Sequence, residues 1–307
     1  MNVMDVCLST DDNYAKFAQC VIISILENKA PDDELVFHIL HAGLNDNSIK
    51  ALSRYNVVFH SVNSADFAPY FNNGGPCKHI TLPTLYRLAL PSILPDTKRV
   101  LYLDCDLIVL KSLGALYNTE LSDNQYAACV PDCGCEYHMQ RLNIEDDGEN
   151  FYFNAGVCLM DLDKIRRDNI EEKSFNYLRE NYEKLMFSDQ DVLNVVLKGH
   201  LKRLDERYNF ISPNFYFSNE KDVTIAHFAG IKPWKTGFYN KYRELFWYYF
   251  SKTDEGKTLK WKVQKSKTLF MHKQLCQIFW YIKMYPLFMS KGKRRDNFMK
   301  IINKSAF

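Results

Sequence analysis

Asp104-Cys105-Asp106 follows the apolar run Val100-Leu101-Tyr102-Leu103 and precedes Leu107-Ile108-Val109-Leu110. In an extended chain, residues two apart point to the same side, so Asp104 and Asp106 face one place together. Two carboxylates that close repel unless protons or a cation neutralise them. Oxygen ligands suit a hard divalent ion such as manganese or magnesium, and such an ion can also hold a diphosphate. The chain has two more triplets of this form, Asp161-Leu162-Asp163 and Asp189-Gln190-Asp191. A solvated loop or a helix N-cap accounts for either of them. Asp163 opens a charged helical stretch and is expected to cap it. Asp189-Gln190-Asp191 starts the apolar helix running from Val192 to Leu197. Capping explains one acid there, but not three consecutive polar side chains at a rim. Only the triplet at 104 is bracketed by apolar, strand-like sequence on both sides.

Other polar groups sit at the ends of apolar runs. Ser9-Thr10-Asp11-Asp12-Asn13-Tyr14 follows the first of them. Asp11, Asp12 or Asn13 can cap the next helix. Alternatively the segment receives a nucleobase and ribose, with Tyr14 stacked on the base and Asp11 accepting from its imide or a sugar hydroxyl. The phosphate-binding pattern Gly-x-Gly-x-x-Gly is absent, so a diphosphate must be neutralised by other means. Arg87 is a lone cation in Leu85–Leu90. It is either a structural ion pair or a group that meets acids at the sheet rim and the anionic part of a donor. In Phe153-Asn154-Ala155-Gly156-Val157, small residues precede a strand; a simple turn and a close backbone approach to a ligand are both open. His227 ends the run Val223–Phe228 and leads into Ala229-Gly230-Ile231-Lys232-Pro233-Trp234. An imidazole with two carboxylates completes a mixed nitrogen and oxygen metal site. Lys232 suits a phosphate as a point charge.

The elements that must carry these groups are legible in the periodicity. Met4–Leu8 reads as a strand. Tyr14–Asn28 has apolar residues at Ala18, Val21, Ile22, Ile25 and Leu26, the spacing of a helix. Leu35–Leu40 is a strand, Asn45–Tyr55 a helix and Val57–Val62 a strand. This β-α-β-α-β series predicts parallel strands with crossover helices. In open α/β sheets the ligand site lies beyond the carboxyl ends of strands, where Asp11 and Asp104 both fall. Downstream, Asp132–Asn150 reads as a loop or lid, Phe151–Leu162 as a strand and Lys164–Glu183 as one exposed helix. Val223–Phe228 reads as a strand and Phe238–Phe250 as a helix.

The 307 residues, 47% of them hydrophobic, suffice for one large α/β domain with an appendage. No apolar stretch approaches the ~20 residues of a membrane-spanning helix. Met1–Val6 lacks the basic and apolar regions of a secretory signal. The nine cysteines are scattered, mostly among apolar neighbours, as expected of thiols in a reducing cytoplasm. Cys133 and Cys135 form the one close pair, without the partners that a zinc site needs. The net charge of +2 hides an asymmetry, because residues 256–307 hold 13 Lys and Arg and a single acid, Asp296.

Taken together, the motifs from Ser9 to Trp234 resemble glycosyltransferase family 8, and within it the bacterial lipopolysaccharide galactosyl- and glucosyltransferases. Their order and spacing carry the resemblance, which covers about three quarters of the chain, from Val6 to Trp234. It implies an α/β fold of GT-A type: a single Rossmann-like nucleotide-binding domain with a mixed, mainly parallel sheet, over residues 1–255. It implies a UDP-galactose or UDP-glucose donor, a saccharide acceptor of lipopolysaccharide or another surface glycan, and manganese, with magnesium as the alternative ion. By motif, Asp104, Asp106 and His227 bind the metal. Ser9, Asp11, Asn13, Tyr14 and Cys105 line the uridine pocket. Arg87, Asn154, Ala155, Asp189 and Gln190 surround the donor sugar, Gly230 and Lys232 hold the diphosphate, and His79 lies near the acceptor. One residue, Ile231, separates Gly230 from Lys232 where many relatives have two, which leaves the reach of Lys232 open. Family members retain anomeric configuration. Gln190 is the β-face residue by motif, with Asp189 as the alternative nucleophile.

Two other classes fit paired acids and a metal. A nucleotidyltransferase would release pyrophosphate rather than UDP, and a UDP-sugar-binding module would lack turnover. Residues 256–307 are expected to form a basic, helical, aromatic-rich tail that attaches peripherally to the anionic inner face of the plasma membrane. Phe270, Trp280, Tyr281 and Tyr285 accompany Lys291-Gly292-Lys293-Arg294-Arg295 there. No nucleic-acid readout motif accompanies the charge, and a cytoplasmic location is expected.

Overall fold

The computed structural model describes residues 3–67, 82–211, 214–217, 222–230, 232–234 and 241–258. The alternation expected near the N-terminus forms: β1 (Val3–Ser9), α1 (Ala15–Asn28), β2 (Glu34–His41), α2 (Asp46–Leu52) and β3 (Val57–Ser61). Helix α1 buries Ala18, Val21, Ile22 and Ile25 with Met4, Val6 and Leu8 of β1 in one apolar cluster. The period of 3.6 on the helix meets the period of 2 on the strand, which is why the pattern is readable from sequence.

β1 pairs in parallel with β2 and with β4 (Arg99–Leu103), and β2 with β3. β7 (Phe153–Asp161) runs antiparallel between β4 and β6 (Ala127–Pro131), and β8 (Leu201–Arg203) lies parallel to β6. The order is β3-β2-β1-β4-β7-β6-β8, a mixed sheet that is mainly parallel. The reversal of β7 has a functional consequence. It brings the first residues of β7 to the rim where β1 and β4 end.

A second sheet has β10 (Ile225–His227) between β5 (Leu107–Val109), antiparallel to it, and β9 (Phe210–Ile211), parallel to it. Asp104-Cys105-Asp106 is therefore the joint where the chain leaves one sheet and enters the other. Backbone bonds clamp both ends of the joint: Asp104 N donates to Gly156 O and Phe228 N donates to Asp106 O, each at 2.9 Å.

Three expectations change. The stretch 132–150 contains the helix Cys135–Arg141, whose Met139 packs with Ile144 and Tyr152 in a small separate cluster. The helix expected over 164–183 is two, Leu162–Arg167 and Ile170–Asn181, broken where Asn169 adopts a left-handed φ of 53°. Asparagine tolerates that conformation because its short side chain bonds locally. Asp161, not Asp163, caps the first of these helices, accepting from Lys164 N at 3.1 Å. Asp163 instead pairs with Arg166 at 2.6 Å. The helix expected over 238–250 is seen as Lys241–Phe250, its first residues falling outside the described ones. Near the C-terminal boundary, a short helix spans Asp254–Thr258. Residues 259–307, with most of the basic tail, lie outside the described residues. Among the described residues no helix is long and apolar enough to cross a membrane.

Candidate active site

Asp104, Asp106 and His227 converge at the joint between the sheets, each with a ligand atom within 4.8 Å of the others'. His227 Nε2 lies 3.2 Å from Asp106 Oδ1 and 3.7 Å from Asp104 Oδ2. Pairing of β5 with β10 sets this up by putting Leu107 opposite His227. Asp106 is nearly closed off, with 8% of its side chain exposed, whereas Asp104 keeps 27% open to the rim. Among the described residues this is the one group of three or more such ligands.

The hydrogen-bond network assigns the imidazole tautomer. Asn209 Nδ2 donates to the Asn154 carbonyl at 3.4 Å and to Asn154 Oδ1 at 3.0 Å. A carbonyl can only accept, so Asn209 Oδ1 is the end that faces His227 Nδ1, at 2.9 Å. Nδ1 must then carry a proton, so Nε2 is the nitrogen that faces the two carboxylates and, in the neutral ring, is free to ligate a metal. Two carboxylates and an imidazole that converge in this way suit a cation between them. The donor set of two carboxylates and one imidazole fits manganese, and it fits magnesium less well because imidazole is the softer ligand.

Lys232 approaches the same carboxylates. Its Nζ pairs with Asp106 Oδ2 and lies 3.4 Å from Phe228 O. Burial pushes the Asp106 carboxyl up, but Lys232 and His227 outweigh it and hold the group well below the usual carboxylate range. The single-residue spacing at Ile231 thus leaves Lys232 long enough to reach the site.

Arg87 comes from the 3-10 helix Leu82–Ala89 and is 4% exposed. Its guanidinium joins Asp104 at 2.7 Å, Asp189 at 3.0 Å and the Ala155 carbonyl at 2.6 Å, and it stands 4.3 Å from the Tyr102 ring. It makes the structural ion pair, and the acids it pairs with stand at the sheet rim. Burial pushes the Asp189 carboxyl up to about 7, although Arg87 pulls it down.

Gln190 sits in the first turn of the helix Ser188–Val196. Its Oε1 accepts from Ala155 N at 3.1 Å and Asn154 Nδ2 at 3.3 Å, and its Nε2 donates to Tyr152 Oη at 2.9 Å. Asn194, one turn on, bonds both the N–H and the carbonyl of Phe153, which fixes this helix to the start of β7.

Ser9 and Cys105 come together, with Cys105 Sγ donating to the Ser9 carbonyl at 3.2 Å. Asp11 caps Tyr14, accepting from its N–H at 2.9 Å, while Asp12 reaches away to Asn45 N and Ser48 Oγ. The Tyr14 ring meets Trp234 edge-on at 6.0 Å, and Trp234 stacks on Phe17 at 3.7 Å. Asn13 and Gly230 are exposed, Gly230 with a left-handed φ of 87° that favours glycine. His79 lies outside the described residues.

Two residues, Asn209 and Tyr152, have no place among the sequence-based expectations for the site. Asn209 has no signal around it, since an amide between Tyr208 and Phe210 reads as a strand edge. Tyr152 precedes the motif at Phe153 and was readable only as part of a strand. The role of Gly156 is steric: a Cβ there would overlap His227 Cε1 and lie 2.6 Å from Asp104 Oδ2.

A mainly parallel sheet whose rim joins a carboxylate pair, an imidazole and a basic loop has the architecture of a GT-A glycosyltransferase. The Glycosyl transferase family 8 model matches residues 5–237, and the chain belongs to that family. The chain is 28% identical to General stress protein A of Bacillus subtilis (strain 168) over 273 residues, 82% of this chain and 94% of that protein. It is 30% identical to the lipopolysaccharide 1,2-glucosyltransferase of Escherichia coli over 250 residues, 73% of this chain and 71% of that protein. The galactosyltransferase LgtC, solved in complex with donor and acceptor sugar analogues, matches with a TM-score of 0.73 and 30% identity, covering 82% of this chain and 96% of LgtC. An active-site glutamine-to-glutamate mutant of LgtC matches with a TM-score of 0.74 and 30% identity, over 83% of this chain and all of that one.

Proposed function

We propose that the chain transfers a hexose, galactose or glucose, from a UDP-sugar to a saccharide acceptor of lipopolysaccharide or another surface glycan, with manganese and with retention of configuration. The observation that carries this reading is the cluster of Asp104, Asp106 and His227 beside Lys232 at the sheet rim. The similarity to LgtC, whose donor and acceptor analogues occupy one complex, and to a lipopolysaccharide glucosyltransferase supports the donor and acceptor classes.

Breaking the anomeric bond leaves negative charge on the nucleotide diphosphate. The bound cation would act as a Lewis acid toward that charge, held by Asp104, Asp106 and His227. Lys232 adds a second positive group at the same place. Ser9, Asp11, Asn13, Tyr14 and Cys105 receive the uridine, and Gly230 lets the backbone approach the diphosphate. Arg87, Asn154, Ala155, Asp189 and Gln190 surround the sugar. His79 is assigned to the acceptor side.

Retention needs a covalent intermediate or attack from the face that the leaving group vacates. The Asp189 carboxyl is buried and engaged by Arg87, which makes it a poor nucleophile. The Gln190 amide is a poor nucleophile by its chemistry. We therefore favour same-face attack, with the carbonyl end of Gln190 stabilising positive charge on the sugar. LgtC, too, has a glutamine in its active site.

A panel of UDP-sugars incubated with manganese tests the reaction. Release of UDP is expected; release of pyrophosphate would instead indicate a nucleotidyltransferase, and no turnover a binding module. Asp104→Ala and Asp106→Ala should each abolish metal-dependent turnover, and near-normal activity in either would overturn the metal assignment. Residues 256–307 are proposed to hold the enzyme on the anionic inner membrane face, at the cytoplasmic side where a lipid-linked acceptor sits. Liposome binding that survives removal of residues 259–307 would overturn that part.

A further inference from the structure

Tyr152 lies outside every residue set that the family motifs assign, yet its hydroxyl touches two members of the Asp189-Gln190-Asp191 triplet. It accepts from Gln190 Nε2 at 2.9 Å and donates to Asp191 Oδ1 at 2.7 Å. Tyr152 and Asp191 are fully buried. Asp191 is in turn fixed by a two-pronged bond to Arg141, at 2.9 and 2.7 Å, and by the backbone N–H groups of Met186 and Phe187 at 2.7 and 3.1 Å.

The proton directions along this chain follow from chemistry. Ala155 N–H can only donate, so the end of the Gln190 amide facing it is oxygen. The amide nitrogen then faces Tyr152, whose oxygen must accept. The tyrosine proton is left to donate to Asp191, and a carboxylate with Arg141 beside it can only accept it. Turning the amide over would set N–H against N–H at Ala155. Both ends of the network therefore select one orientation, with the negative end of the amide dipole against Asn154 and Ala155 at the start of β7.

We infer that Tyr152 is a positioning residue for Gln190, the last link of a buried relay from Arg141 through Asp191 that orients the Gln190 amide for sugar transfer. The inference rests on the reading of Gln190 given under Proposed function. Tyr152 touches neither the metal cluster nor Arg87, so its effect should fall on turnover and not on donor binding. A misplacement of about 1 Å in a group facing the reacting centre costs on the order of 100-fold in rate.

Tyr152→Phe removes the hydroxyl and keeps the ring, which stacks on His138 at 4.6 Å. Asp191 still has Arg141 and two backbone N–H groups, so the fold should survive. The expected result is a kcat about 10- to 100-fold lower, with donor KM and UDP affinity within about twofold of native, because only a transition-state interaction is lost. Tyr152→Phe combined with Gln190→Ala should be no slower than Gln190→Ala alone. Should Tyr152→Phe fail to fold, Arg141→Lys loosens the far end of the relay and should show the same fall in kcat at constant KM, to a lesser degree. Native turnover in the folded Tyr152→Phe variant, alongside a strongly impaired Gln190→Ala, overturns the inference alone. A parallel loss of UDP affinity overturns it too, since it marks a general packing role. A near-native Gln190→Ala instead overturns the reading of Gln190, and the inference with it.

Discussion

Asn209 Oδ1 accepts a hydrogen bond from His227 Nδ1 at 2.9 Å, and by doing so it aims the other ring nitrogen at Asp104 and Asp106. The metal assignment depends on this amide as much as on the three ligands, because a ligating imidazole needs its second nitrogen fixed. Asn209 is itself oriented by the Asn154 carbonyl, so β7, β10 and the segment before β9 act together on one ring.

Asn209→Leu keeps the size of the side chain and removes its acceptor. Manganese affinity should fall about 10- to 100-fold, read by titration of the free enzyme. In a His227→Ala background the same change should cost nothing further. Unaltered affinity in the single variant would mean that the ring is fixed by packing alone.

Gly156→Ala tests the closeness of the strand to the cluster. The new methyl would overlap His227 Cε1 and come within 2.6 Å of Asp104 Oδ2, and strand backbone leaves it no alternative direction. Overpacking of this kind typically costs about 1–3 kcal/mol. A lower urea midpoint together with weaker manganese binding is expected. If both stay native, β7 yields more readily than a central strand should.

Asp189 gives the pH dependence. Its carboxyl is pushed up to about 7 by burial, against Arg87. An unfolded aspartate titrates near about 3.9, so between those values the folded state holds a proton that the unfolded state has lost. The group's contribution is complete below about pH 4 and is lost as pH rises through about 7, at no more than ~1.4 kcal/mol per pH unit. Asp189→Asn is neutral throughout. The native protein should therefore lose stability relative to Asp189→Asn between about pH 4 and about pH 7 in urea titrations. A difference that does not change with pH would show that Arg87 keeps the carboxylate charged.

The parts legible in sequence were those with a period or a bracket. Strands β1 to β4 and helix α1 repeat apolar residues at the spacing their geometry demands, and Asp104 and Asp106 stand between two apolar runs. His227 was legible because it ends a strand and meets a glycine-containing turn. The remainder depended on partners far apart in sequence. Asp161 and Asp163 both precede a helix, and only the backbone turn decides which of them caps it. Asn209 and Tyr152 act through residues 18 and 38 positions away, with no local pattern to announce them. The helix Cys135–Arg141 buries little on its own and forms because Met139 and Ile144 find Tyr152 across the gap.

Lys232 and the metal should compete before they cooperate. The ammonium pairs with Asp106 Oδ2, the carboxylate that a divalent ion needs, and with His227 it holds this buried acid ionised. A cation held by the cluster would compete with Lys232 for this carboxylate, and Lys232 would then be free to meet the diphosphate. Lys232→Met removes the resident charge and leaves Asp106 without its ammonium partner. A buried carboxylate stripped of its partner is strongly destabilised, and an arriving cation relieves that destabilisation. Manganese alone should then bind about tenfold more tightly than in the native protein, the equivalent of ~1.4 kcal/mol released from the competing pair. UDP at saturating manganese should bind more weakly, because the second cation for its phosphates is gone. Titrating metal without nucleotide, and then nucleotide with metal, separates the two effects. Weaker metal binding in Lys232→Met would mean that the lysine supports the cluster rather than occupying its place.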